Sequence, residues 1–265
     1  MNRFIFLNCL AVLGCFWIYM LDMGRIYYFF CAVLYLTIIS IGVCNLRSNI
    51  FMDCKPQHRL SQKIALTIDD GPDVNFTIPL LCLLKKHGIH ATFFLVGKES
   101  EKYPDLVKKI AQDGHSIAFH GYSHSPWSNF YLACDWEKEF QKAESILGIY
   151  LKKKWFRPPF ALISPHLAYV LEKLQYTLVS FHIRALDFGN RRIHRLSERL
   201  LKKLSPGGVV MIHGSVQANA YQKEKILAEF DTFFQKIKTS GYEILTLENY
   251  LELDSKSLDK SRNVL

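Results

Sequence analysis

The chain has 265 residues, of which 49% are hydrophobic and 22% charged, and its formal net charge is +9. This apolar content excludes a disordered chain, and the absence of a Gly-x-y period excludes a collagen-like one. The seven cysteines are an odd number without a CxxC pair. The sequence therefore indicates neither a disulfide framework nor a zinc module built from thiolates.

The first 44 residues contain two apolar runs. Phe4 to Leu21 is 18 residues without a charge, and Ile26 to Cys44 is 19 more. Each run approaches the roughly 20 residues that a helix needs to cross a bilayer. We expect residues 1–45 to form a membrane anchor of two transmembrane helices. A single anchor, a cleaved signal peptide and a pair of buried soluble helices are the alternatives.

The charges that flank these runs indicate on which side of the membrane the rest of the chain lies. Arg3 precedes them, and Arg47, Lys55, Arg59 and Lys63 follow. Two spans would then place both ends in the cytoplasm, whereas loss of the first span would turn the rest of the chain outward. We expect a bacterial cytoplasmic membrane and leave the side open. The positive charge suits lipid headgroups, and since no basic-aromatic motif is present we expect no nucleic-acid partner.

After a linker at 46–60, short apolar strands alternate with amphipathic helices over residues 61–252, and a polar tail fills 253–265. This pattern predicts an α/β fold with a parallel sheet, and seven repeats in one domain favour a closed barrel over an open sheet. The predicted strands cover 64–68, 91–96, 116–119, 155–156, 176–181, 208–212 and 242–247, and the predicted helices 77–87, 104–113, 135–149, 164–174, 192–204 and 222–239.

Polar side chains gather at the ends of these predicted strands, where the active sites of parallel α/β barrels lie. The residues concerned are Asp69, Asp70, His120, Arg157, Asp187 and His213. Structural residues have no reason to collect there, so the sequence predicts a catalytic site.

Two of these residues, Asp70 and His120, indicate a metal site together with a third residue, His124. His120 and His124 are four residues apart, and with Asp70 they would supply two imidazoles and one carboxylate, a facial site with open positions. Taken alone, the Asp-Asp-Gly-Pro segment is typical of a turn, and pairs of histidines four residues apart are common in proteins. The structural alternative is therefore a turn and an unrelated histidine pair. Nitrogen and oxygen ligands suit several divalent ions; we expect zinc first, with cobalt, nickel, manganese and iron as alternatives.

The remaining residues predict acid–base chemistry. His213 ends an apolar strand and is a candidate general acid, because an imidazole titrates near neutral pH. Asp187 could hold its tautomer and raise its pKa, and Arg157 could pair with Asp69. A hydrogen-bonded core histidine is the structural alternative for His213.

In order, these motifs resemble the five motifs of the NodB-homology polysaccharide deacetylases, carbohydrate esterase family 4. The matching segments are Thr67-Ile68-Asp69-Asp70-Gly71-Pro72, Gly114-His115-x-Ile117-x-x-His120-x-x-x-His124, Arg157-x-Pro159-Phe160, Asp187-Phe188 and Ile212-His213. The resemblance implies a distorted (β/α)7-type barrel over residues 61–252.

The resemblance also implies roles. Asp69 would be the catalytic base, Arg157 would orient it, His213 would be the general acid and Asp187 would tune that acid. Asp70, His120 and His124 would bind the divalent metal. The backbone amide at Phe160, in the same motif as Pro159, would stabilise the oxyanion, and Trp127 is a candidate for stacking on a sugar ring.

Some positions depart from the family pattern. Gly121 stands where Ser or Thr is frequent, which removes a hydroxyl and is expected to loosen the loop after His120. Gly214 follows His213 where Asp is common, and Arg184 stands where an acidic residue is often found. These departures leave the predicted catalytic side chains in place and bear on substrate preference.

The expected function is a metal-dependent hydrolase that removes N-acetyl groups from amino sugars in a polysaccharide or glycan. A deacylase of a polyprenyl-linked sugar precursor, releasing acetyl or formyl, is the alternative within the same chemistry. A non-catalytic sugar-binding relative is the alternative from another class. Membrane lipid is the other expected partner.

Overall fold

The structure is a computed structural model that describes residues 2–55, 62–187, 189–216 and 220–253. Most of the predicted linker at 46–60 is described, but its last five residues, Phe188 and the tail after residue 253 lie outside the described residues. Contacts divide the chain into two units: residues 1–55, 125–138 and 158–180 form the first, and residues 56–124, 139–157 and 181–265 the second. The predicted boundaries of anchor, linker and domain stay a prediction.

Helices and strands alternate along most of the described chain. The helices are α1 (Asn2–Met20), α2 (Ile26–Cys44), α3 (Thr77–His87), α4 (Gly97–Lys102), α5 (Pro104–Gln112), α6 (Ala133–Leu147), α7 (Pro165–Lys173), α8 (Leu196–Leu201) and α9 (Ala220–Thr239). The strands are β1 (Cys54–Lys55), β2 (Lys63–Asp69), β3 (Thr92–Leu95), β4 (Ser116–Phe119), β5 (Trp155–Phe156), β6 (Thr177–Val179), β7 (Ile183–Arg184), β8 (Val209–His213) and β9 (Glu243–Leu245).

The first unit begins with the two apolar helices, which form where they were predicted. Both are long and apolar enough to cross a membrane, and their most apolar windows are 0% and 6% buried. The hydroxyl of Tyr35 on α2 donates to Oδ1 of Asn8 on α1 at 2.8 Å, and the sulfur atoms of Cys15 and Cys31 lie 4.0 Å apart between the same helices. Helices that bury so little of their apolar surface within the protein need another apolar environment, and a bilayer is one.

The end of α2 is packed against a later part of the same unit. The N–H of Ile163 donates to the carbonyl oxygen of Val43 at 3.1 Å. The ring of buried Phe51 lies so close to Gly42 that a Cβ there would be 2.8 Å from it. Parallel pairing of β1 with β6 adds a further connection between these segments. The apolar hairpin is therefore joined to segment 158–180 by backbone and side-chain contacts.

The second unit is built on a parallel sheet with the strand order β5-β4-β3-β2-β8-β7, and β9 also pairs with β2. Every residue of β3 and β4 is buried, and only the first residue of β2 is not. Strands that are buried on both faces must be apolar along their whole length, which is why they read as continuous apolar runs. All these strands point the same way, so their carboxyl ends meet at one edge of the sheet.

All seven predicted strands are present. The structure also contains β1, β7 and α4, which were not predicted. These elements are two to six residues long, and their sequences are too short or too polar to show a periodic pattern. The helix predicted over 192–204 is shorter, because Arg195 adopts a left-handed backbone with a φ of 53° and α8 begins only after it. The α/β class with a parallel sheet is confirmed.

Candidate active site

The predicted catalytic residues of the second unit lie at the carboxyl edge of its sheet. Asp69 is the last residue of β2 and His213 the last of β8, and the two are register partners across these parallel strands. His120 follows β4, Arg157 follows β5, and Asp187 comes three residues after β7. Sheet topology therefore brings together side chains that are up to 144 positions apart in sequence.

Asp70, His120 and His124 form a cluster whose ligand atoms all lie within 4.8 Å of one another. Oδ1 of Asp70 is 3.4 Å from Nε2 of His120 and 3.1 Å from Nε2 of His124. Burial alone would raise the pKa of Asp70, but hydrogen bonds from the two histidines and nearby positive charge hold it well below its usual range. The carboxylate of Asp70 is therefore anionic and lies beside two imidazole nitrogens.

The backbone around these residues is held in an unusual conformation. Asp70 and His124 have φ values of 72° and 49°, a left-handed region that non-glycine residues seldom adopt. Such conformations are maintained by surrounding structure and concentrate at functional sites. Nδ1–H of His120 donates to the carbonyl oxygen of Arg157 at 2.7 Å, which leaves Nε2 as the nitrogen that faces Asp70.

Arg157 is 1% exposed, and its guanidinium holds the carboxylate of Asp69. One terminal nitrogen lies 2.6 Å from Oδ1 of Asp69 and 2.8 Å from the hydroxyl of Thr67. The Thr67 hydroxyl in turn donates to the carbonyl oxygen of Val210 on β8. The face of the guanidinium covers the Phe94 ring at 4.1 Å. Asp69 is thus fixed in position by a buried guanidinium that is itself held by Thr67 and Phe94.

His213 and Asp187 form the second ionic pair of the site. Nδ1 of His213 is 3.0 and 3.1 Å from the two carboxylate oxygens of Asp187. Burial would lower the pKa of His213, but the hydrogen bond to Asp187 and the charges of Asp187, Asp70 and Asp69 outweigh it and raise that pKa to about 9. The ring is therefore protonated at neutral pH and can donate through Nε2.

The segment after Asp187 is tied to the end of β8. The side-chain nitrogen of buried Asn190 donates to the carbonyl oxygens of His213 at 2.9 Å and Ser215 at 3.0 Å. Sequence reasoning missed Asn190, and it missed Thr67 as the support of Arg157. A Gly-Asn dipeptide and a threonine in an apolar strand are too common to indicate such roles.

Two departures from the family pattern have structural causes. Gly121 has a φ of 86°, which glycine adopts without strain, and its carbonyl oxygen accepts from the N–H of Gly97 at 2.9 Å. A Cβ at Gly214 would lie 2.7 Å from the side chain of Ile68, and its N–H is bonded to the carbonyl oxygen of Asp69. Glycine thus permits a left-handed backbone at position 121 and close approach of the ends of β2 and β8 at position 214.

The other three predicted site residues belong to the first unit. Pro159 and Phe160 lie in a short turn in which Phe160 has a φ of 58° and a half-exposed ring. Trp127 is 69% exposed and its ring lies 6.2 Å from that of Phe130, centre to centre. The predicted oxyanion role of the Phe160 amide and the predicted sugar contact of Trp127 stay predictions.

Comparison with known proteins agrees with this architecture. A family model described as polysaccharide deacetylase matches residues 57–179. The chain is 30% identical over 197 residues to a peptidoglycan-N-acetylglucosamine deacetylase of Bacillus cereus, covering 72% of this chain and 68% of that protein. It is 25% identical over 230 residues to the peptidoglycan-N-acetylglucosamine deacetylase PgdA of Listeria monocytogenes, covering 84% of this chain but only 47% of that longer protein.

A solved structure gives the same result for the fold. The crystal structure of the Bc1960 peptidoglycan N-acetylglucosamine deacetylase superposes with a TM-score of 0.64 at 29% identity, covering 72% of this chain and 88% of that one. The distorted (β/α)7 fold inferred from the motifs is thereby confirmed, as is the classification as a hydrolase of carbon–nitrogen bonds. The chain belongs to the NodB-homology polysaccharide deacetylases, carbohydrate esterase family 4.

Proposed function

We propose that this protein is a metal-dependent, membrane-anchored deacetylase that removes N-acetyl groups from amino sugars of a bacterial cell-surface glycan. The observation that carries the proposal is the common placement at one sheet edge of an Asp-His-His cluster, a carboxylate held by Arg157 and an imidazole paired with Asp187. Each of the three parts has a separate chemical task.

The triad of Asp70, His120 and His124 fits a divalent metal. Its donor atoms are close enough to share one ion, Asp70 is anionic, and His120 has its second ring nitrogen committed to a backbone carbonyl. Two nitrogens and one oxygen suit zinc first and cobalt, nickel, manganese or iron as alternatives. When bound, such an ion supplies Lewis-acid polarisation of the acetamide carbonyl and a lowered pKa for water.

Asp69 is proposed as the base that takes a proton from the attacking water. Its carboxylate is held by Arg157 at 2.6 Å and is almost completely buried. A fixed base needs no reorganisation when the proton moves, and this positioning is a large part of catalytic efficiency. Asp70, the adjacent residue, points to the histidines instead, so the two neighbouring carboxylates have separate tasks.

His213 is proposed as the acid that protonates the departing amine. An amine is a poor leaving group unless it is protonated, so cleavage of an amide needs such a donor. Nδ1 of His213 is occupied by Asp187, which directs the proton on Nε2 away from that carboxylate. The raised pKa of His213 keeps this proton in place through the neutral range.

The substrate class is proposed from the relatives. Both the Bacillus and the Listeria proteins are named for N-acetylglucosamine in peptidoglycan. Acetylated aminosugar units in such a glycan are therefore the first substrates to test. Exposed Trp127 supports a glycan substrate, because an exposed indole face can stack on a sugar ring.

A second substrate class, a polyprenyl-linked sugar precursor, is favoured by one observation in the first unit. With α2 spanning a bilayer, Val43 lies in the last turn of the span, and its carbonyl is bonded to Ile163. Phe160 is three residues from Ile163, a distance of at most about 11 Å along the chain. Phe160 would then lie near the membrane surface, where the lipid of a polyprenyl-linked sugar would be held.

One experiment separates these proposals. The full-length protein, reconstituted in phospholipid vesicles, is stripped of metal, reloaded with zinc and offered three substrates: peptidoglycan, N-acetylglucosamine oligomers, and N-acetylated or N-formylated polyprenyl-linked sugars. Release of acetate or formate is measured, with D69N as the catalytically deficient control.

Zinc-dependent release that is lost in D69N supports the hydrolase, and the preferred substrate identifies the class. Release from peptidoglycan or oligomers alone would favour the polymer, whereas release from the lipid-linked sugar alone would favour precursor processing. Sugar binding without release from any of the three would contradict the hydrolase and support the non-catalytic alternative.

A further inference from the structure

The loop between the two histidines of the triad is held by a carboxylate from a different element. Oε2 of Glu139, on α6, accepts hydrogen bonds from the backbone N–H groups of Tyr122 and Ser123, both at 2.9 Å. Ser123 immediately precedes His124. We propose that Glu139 is the positioning residue that sets the second histidine for metal binding in this protein.

The two histidines project from different kinds of backbone. His120 directly follows β4, and its ring is fixed by the carbonyl oxygen of Arg157. His124 lies four residues later in irregular backbone with a φ of 49°. The separation of the two rings, 5.1 Å between centres, therefore depends on the conformation of residues 121–123.

Gly121 makes this loop dependent on outside support. It has no side chain, and glycine has the largest conformational freedom of any residue. On one side, the N–H groups of Gly97 and Lys98 donate to the carbonyl oxygens of Gly121 and Tyr122, both at 2.9 Å. These bonds use two carbonyl oxygens of the loop, whereas Glu139 accepts from two of its N–H groups.

Glu139 completes the loop on its other side. A carboxylate that accepts two backbone N–H bonds makes charge-assisted hydrogen bonds, which are roughly twice as strong as neutral ones. Both bonds reach the two residues that precede His124, so they restrict the backbone from which the ligand projects. Glu139 thereby restrains, from α6, the loop between the two histidines.

The inference rests on the proposed metal site and is tested by zinc affinity instead of activity. Full-length wild-type, E139A and E139Q proteins in detergent are stripped of metal and titrated with zinc against a competing chelator. E137A is the matched control, because Glu137 lies on the same helix and its carboxylate is bonded to Lys173. Thermal unfolding of each metal-free variant is recorded in parallel.

We expect E139A to bind zinc about 10- to 100-fold more weakly, the range found when supporting residues of a metal site are removed. E139Q keeps an acceptor oxygen without its charge and should lose affinity by a smaller factor, and E137A should match the wild type. A residue with only a structural role would lower the thermal midpoint of the metal-free protein without this graded loss of affinity.

Folded E139A with wild-type zinc affinity would overturn the role of Glu139 while leaving the metal site intact. Should E139A fail to fold, E139Q decides: wild-type affinity in that variant overturns the proposal, and reduced affinity supports it. A wild-type protein that binds no zinc would overturn the metal site itself, and this inference with it.

Discussion

The carbonyl oxygen of Arg157 lies 2.7 Å from Nδ1 of His120. Through its side chain the same residue holds Asp69 at 2.6 Å. One residue therefore orients a proposed metal ligand with its main chain and the proposed base with its guanidinium. Any displacement of the chain after β5 would disturb both groups together.

Replacement of Arg157 by alanine should be strongly destabilising. It would leave the buried carboxylate of Asp69 without its cation, and breaking a buried ion pair in this way costs about 3–5 kcal/mol. We expect the free energy of unfolding in urea to fall by that amount. R157K retains the charge but not the planar group that contacts Thr67, Asp69 and the Phe94 ring, so its stability should be intermediate between those of R157A and the wild type.

The control is K109A, which removes an exposed ion pair with Asp113 and should change stability by less than about 1 kcal/mol. Wild-type stability in R157A would contradict this account.

Replacement of Asp69 by asparagine should abolish most turnover without loss of metal. The amide has nearly the same shape but cannot take a proton, and general base catalysis contributes about 10²- to 10⁴-fold. We expect kcat to fall within that range while zinc content, measured by atomic absorption, stays at the wild-type level. Turnover within tenfold of the wild type would exclude Asp69 as the sole base.

Replacement of Asp187 by asparagine should shift the pH dependence of activity. In the proposed mechanism protonated His213 is the active form, so activity should fall as the pH rises through its pKa, which is raised to about 9. A cation bound at Asp70 would lower this value by cancelling one of the contributing charges. Without the Asp187 carboxylate the pKa should fall towards the ordinary histidine value of about 6.5, and the alkaline limb of kcat/KM should move to lower pH. An unchanged limb would contradict the pairing as its cause.

The raised pKa of His213 also predicts how the stability of the protein depends on pH. A histidine whose pKa is higher in the folded state stabilises that state fully below the unfolded value of about 6.5, and the contribution disappears as the pH rises through the folded value. The stability difference between wild type and D187N should therefore be largest at pH 6 and small at pH 10. Thermal unfolding at these two pH values tests it.

Replacement of His124 by alanine should remove bound metal. With one of three protein ligands lost, we expect zinc content after dialysis to fall to a small fraction of the wild-type value, and activity with it. H90A is the matched control, because His90 packs beside His115 and not in the triad. Equal zinc content in H124A and wild type would remove His124 from the ligand set.

Sequence reasoning succeeded where the signal was local and repeated. Continuous apolar runs predicted the seven strands, since a parallel strand covered on both faces must be apolar throughout. The residues after those runs are the ones that meet at the sheet edge, so strand ends also predicted which polar side chains come together. Asp69 and His213 are the clearest case, because their register pairing follows from adjacent parallel strands.

Other features of the site, such as contacts between distant elements, cannot be recognised in a single sequence. Glu139 is one acidic residue among many on an amphipathic helix, and only its position beside Tyr122 distinguishes it. The loop with Gly121 was expected to be loose, yet its carbonyl and the following N–H groups are all bonded. Such contacts depend on how distant elements pack, which periodicity does not encode.

The hydrogen bond from Ile163 to Val43 also has a mechanical meaning. A catalyst on a flexible linker searches a volume of solution whose radius grows with linker length. Here the last turn of α2 and segment 158–180 are joined directly, so with α2 in a bilayer this segment would stay at a fixed height above the lipid. Inserting residues between α2 and β1 would not increase its reach as long as that bond holds.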